Sequence, residues 1–221
     1  VSKNQQLEIA KQIVVNQIIE RLEITYQDYI KNVKGFEQIP SFFRNHLYAP
    51  ANKEERDKAL EELYNKLKTI VGQEMVENIY KLIQLIQLSD KLDYEIAEEL
   101  LKNHLDKIPY DKNTQLDFEI IEEIIYKKNQ FEERKKQIQL ICESLSFFFT
   151  LSKLPLIKLV MAPIKVAASL VGADVLIETM EEGYRISKNI KDMKPFIKDF
   201  KEREFNYLDS IQNKFKNLKS N

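Results

Sequence analysis

Apolar residues return every three or four positions along most of this chain, a period that suits helices and not strands. Leu7, Ala10, Val14, Ile18, Leu22, Tyr26, Tyr29 and Val33 would stack on one face of a helix over 3–33, which Gly35 ends. The chain holds four glycines and six prolines in 221 residues. An all-β protein needs far more turns than these can supply.

The same reading continues downstream. A short aromatic helix over 39–48 opens at Pro40 and stops before Pro50, and Asn52 with Glu55 has capping-box spacing for a helix running to Gly72. A strong helix is expected over 73–88, with Ser89 capping another that Pro109 closes. Residues 107–114 read as a linker. From Thr114 to Ser152 there is neither Gly nor Pro, so one long helix or two are expected, with Lys127, Lys128 and Asn129 as the break. Pro155 and Pro163 should divide the next stretch into short pieces before a helix over 174–193. Pro195 then opens a last helix. The expected fold is all-α: a multi-helix bundle of roughly eight helices around a central apolar helical hairpin drawn from residues 138–177. It forms one domain over 1–221, or two lobes (1–108 and 115–221) joined by 109–114.

Thirty-four basic against thirty-five acidic residues give a net charge of −1, which argues against nucleic acid as a partner. Charge is uneven, however. Residues 89–133 carry thirteen acids and six bases, whereas 185–221 carry ten bases and five acids. Docking of the basic C-terminal helix on the acidic middle is the economical expectation. Cys142 is the only cysteine, as expected of a reducing compartment, so the location expected is cytoplasmic, at most peripheral to a membrane. The first residue is Val1, which leaves room for a segment upstream.

Catalytic signatures are missing from the sequence. There is no glycine-rich phosphate loop, no Gly-x-Ser-x-Gly elbow and no Glu-x-x-His pair. One cysteine and two histidines, His46 and His104, cannot build a thiolate- or imidazole-rich zinc site. Asp90 and Asp93 stand one turn apart and could face Glu119, Glu122 and Glu123 across a divalent ion, but such runs usually form a solvated helix face. His104 reads as a boundary histidine and Cys142 as a small buried hydrophobe. No catalytic residue, metal ligand or cofactor is assigned, and a non-enzymatic protein is expected.

One stretch stands apart. Residues 144–173 contain no acid, and their only charges are Lys153, Lys158 and Lys165. As a helix buried on all sides it would form the core. As a contact surface, Phe147, Phe148, Phe149, Leu156, Ile157, Val160 and Met161, with Lys158 and Lys165, would meet an apolar ligand or an anionic membrane surface. Lys or Pro recurs too often in it for a transmembrane span. Leu208, Ile211, Phe215 and Leu218 follow 3-4-3 spacing, suited to a coiled-coil partner. The function expected is therefore a helical interaction or scaffold protein that binds a protein partner or self-associates. The alternative is an amphitropic lipid- or membrane-associated protein using 144–173 and the basic C-terminal helix.

Overall fold

The computed structural model describes residues 2–47, 53–105, 110–155 and 157–218, all within helices, turns and short connections with no strand. Ten α-helices are present among them, more than the eight or so expected: α1 (Lys3–Thr25), α2 (Gln27–Asn32), α3 (Ile39–Phe42), α4 (Lys53–Leu67), α5 (Gln73–Leu100), α6 (Phe118–Lys127), α7 (Phe131–Lys153), α8 (Ile157–Ser169), α9 (Asp174–Asn189) and α10 (Lys194–Leu218). The Asn52–Glu55 capping box and part of the 107–114 linker lie outside the described residues.

Local chemistry explains most boundaries. Ser2 caps α1, its hydroxyl accepting from the Gln5 amide at 3.2 Å while the Gln5 side chain accepts from the Ser2 amide at 2.8 Å. The helix expected over 3–33 breaks at Tyr26, whose backbone leaves helical geometry and separates α1 from α2. The Tyr26 ring turns inward, stacking on Phe200 at 5.3 Å and meeting Phe196 edge-on at 5.5 Å. The break at 127–129 occurs as expected, with Asn129 at φ 52°.

Two expected boundaries are absent. Ser89 caps nothing: α5 runs unbroken for 28 residues through it, and its hydroxyl accepts a buried hydrogen bond from the Gln137 amide at 2.8 Å. Pro163 does not divide the chain either, but sits inside α8. Its missing N–H would have served the carbonyl of Leu159, a residue open to water, so the loss is tolerated there.

One continuous apolar core runs from Ala10 in α1 to Phe215 in α10. Within it α7 is central, packed against α5, α9 and α10. Of the apolar hairpin expected over 138–177, only α7 holds a central place. Helix α8 lies at the periphery against α4 and α9, because only one side of it has neighbours.

Candidate interaction surface

The core carries an unusual amount of charge. Asp90 and Asp93 on α5 are 6% and 1% exposed, so they do not form the solvated face expected of them. Asp90 pairs with Lys11 of α1, and Asp93 accepts from Arg134 of α7 at 3.2 Å. Arg134 also donates to Gln137 (2.9 Å) and Gln130 (3.3 Å), and so is satisfied on three sides. Of the other acids expected nearby, Glu119 and Glu122 instead hold Lys214 of α10 at 3.0 and 3.1 Å, and Glu123 pairs with Lys127 at 2.8 Å. No group of three or more His, Cys, Asp or Glu side chains is placed to hold a metal among the described residues.

A second buried cluster locks the chain ends together. Arg21 of α1 grips Glu204 of α10 through two hydrogen bonds, 3.0 and 2.5 Å, and the Tyr26 hydroxyl donates to the same carboxylate at 3.0 Å. Burial opposes the Arg21 charge, but Glu204 more than restores it and raises its pKa. Burial and Glu204 together push the Tyr26 phenol well above its usual range. Between the two clusters lies a cavity of about 60 Å³ lined by Arg21, Arg134, Gln137, Glu204 and apolar residues of α6, α7 and α10. That is room for a few waters, not for a cofactor or an acyl chain.

Within the three-phenylalanine run, Phe147 borders an open groove between α5 and α7 that it shares with Met75, Leu151 and Leu154. Phe148 is buried against Phe42, with ring centres 5.7 Å apart, and against Gly183 of α9. Phe147 is buried, and Phe149 is half-buried beneath the Lys153 ammonium. His46 stacks on Phe42, and Cys142 is buried. In α10, Leu208, Ile211 and Phe215 pack into the core of this same chain, whereas Leu218 is exposed. Leu156 lies outside the described residues.

Among the described residues, α8 alone aligns several exposed large aliphatic side chains on one face. Its inner side buries Ile157, Met161, Ile164, Ala167 and Ala168, while Val160 is half-buried. Yet its outer side is also apolar: Leu159, Val166 and Leu170 at its end are 69%, 63% and 71% exposed. At 100° per residue these three fall within roughly 40° of arc, a single stripe. Ala162 lies beside them, exposed. Lys158 and Lys165, seven residues apart, mark one edge of the stripe, and Lys165 pairs with Glu181 on α9.

Val166 and Leu170 escape sequence reasoning because an apolar segment does not reveal which of its faces is covered. The lysines at 158 and 165 were the available signal, since they fix where water begins. No helix among the described residues is long and apolar enough to cross a membrane.

Residues 2–217 match the model of a family described as a domain of unknown function, DUF8198, and the chain belongs to that family. No curated protein and no solved structure matches it.

Proposed function

We propose that this member of the DUF8198 family is a non-enzymatic helical interaction protein whose contact surface is the outer face of α8. The observation that carries the reading is the stripe of Leu159, Val166 and Leu170, three large aliphatic side chains left in water on one helix face. Single exposed apolar residues are ordinary, whereas an aligned set on one helix marks a surface made to be covered. The spacing is that of a helix presented to an apolar surface of another protein. In cells, a photoreactive residue in place of Val166 should give one discrete protein adduct. A similar residue in place of the exposed Lys136 should not. Equal, diffuse labelling from both positions contradicts the reading.

The membrane reading rests on the same stripe with its lysines, and it ranks second for a structural reason. Lys165 is held by Glu181, and Lys153 donates to the Ile190 carbonyl at 3.3 Å. Among the described residues that leaves Lys158 as the cation of the segment free for headgroups.

A further inference from the structure

We infer that the occupant of the α8 stripe is a second copy of this chain, docked antiparallel along α8. This rests on the reading of α8 as a contact surface and gives that surface its partner.

The pattern of the stripe is self-complementary. An antiparallel two-fold pairing centred between Ala162 and Val166 sets Leu159 of one copy against Leu170 of the other, at both ends at once. At the centre, each Val166 meets the small Ala162 and the flat ring of Pro163, which allow two helices to approach closely.

Charge complementarity selects this orientation. The Lys165–Glu181 pair shows that α9 lies on the lysine edge of α8. Helix α9 begins at Asp174, just past the end of α8, so Asp174 lies near the C-terminal end of that same edge. A two-fold axis running across α8 exchanges its ends but keeps its edges on their own sides. It therefore brings Lys158 of each copy to Asp174 of the other, with Glu178 one turn further along α9. All three residues are exposed, and none makes an ion pair among the described residues. A parallel pairing would put Lys158 on the side away from α9 and lose both contacts.

Helix α8 is about 20 Å long. One face of that length falls short of the ~800 Å² per partner of a standard stable interface. The expected dimer is weak and concentration-dependent, with a Kd on the order of micromolar or above.

The test is charge reversal, read by sedimentation of the full chain over a range of concentrations and by flotation with phosphatidylcholine–phosphatidylglycerol vesicles. Lys158→Glu and Asp174→Lys should each weaken self-association, roughly tenfold, because each replaces two attractions with two repulsions. The double variant should restore it. Both residues are exposed, so unchanged circular dichroism and melting temperature confirm that the variants fold. On an anionic membrane the two reversals act in opposite directions: Lys158→Glu weakens flotation and Asp174→Lys strengthens it. That outcome overturns the inference, as does a monomer at every concentration or a dimer indifferent to both reversals. The adduct from position 166 then separates the two ideas. A discrete adduct of a different protein leaves α8 a contact surface with another partner, whereas no adduct removes both.

Discussion

Gly183 of α9 lies flat against the Phe148 ring of α7: a Cβ at position 183 would stand 2.7 Å from its Cγ and Cδ2. Helices α7 and α9 are in extensive contact, and this glycine lies within that contact. Phe148 is buried and also meets the Phe42 ring at right angles, 5.7 Å between centres, which restricts its room to shift. Gly183→Ala should therefore destabilise the protein by about 1–3 kcal/mol despite the better helix propensity of alanine. Urea unfolding measures it, and an unchanged or raised midpoint would show that the ring moves freely.

The Arg134–Asp93 pair makes a second prediction. Arg134→Met leaves the Asp93 carboxylate buried without its main cation, and should cost on the order of 3–5 kcal/mol at pH 7. Adding Asp93→Asn removes the stranded charge and should recover much of that loss. A double variant no more stable than Arg134→Met alone would mean that the arginine contributes through its other partners, Gln130 and Gln137.

Asp93 also sets a pH dependence. Burial raises its pKa to about 6, against the pull of Arg134 and Lys11. An aspartate in the unfolded chain titrates near ~3.9. Between those values the folded protein binds more protons than the unfolded one, so stability from this group falls as pH rises from about 4 to about 6, then levels off. The difference in unfolding free energy between the protein and its Asp93→Asn variant should trace that fall. A difference constant from pH 4 to 7 would place the Asp93 titration outside this window.

Sequence reasoning reached the helices because their signals are local. Period, caps and the positive φ at Asn129 depend on residues within a few positions. It misread Asp90 and Asp93, since nothing within a turn of either announces Lys11 or Arg134, 79 and 41 residues away. The same limit applies to Ser89: serine before a helical run looks like a cap unless Gln137 is known to face it. For α8 the difficulty was different. Composition marks 144–173 as distinctive, but which face is covered depends on where α4 and α9 come to rest.

Cys142 should be inert in the native protein. Burial pushes its thiol up to about 11, so almost none is thiolate at neutral pH. Iodoacetamide at pH 7 should leave it unlabelled until denaturant is added, then modify it fully. Rapid labelling of native protein would mean that the α7–α10 interface opens around it.

The stripe on α8 carries the functional account, and it can be removed without touching the core. Leu159, Val166 and Leu170 are exposed, so changing all three to serine should leave the melting temperature nearly unchanged. The decisive measurement is the native size distribution of that triple variant against the unaltered protein, in cell extract and as purified protein at concentrations above the micromolar range expected for the Kd. The account predicts that the larger species formed by the unaltered protein disappears while the monomer remains folded. Identical distributions for the two proteins would contradict it.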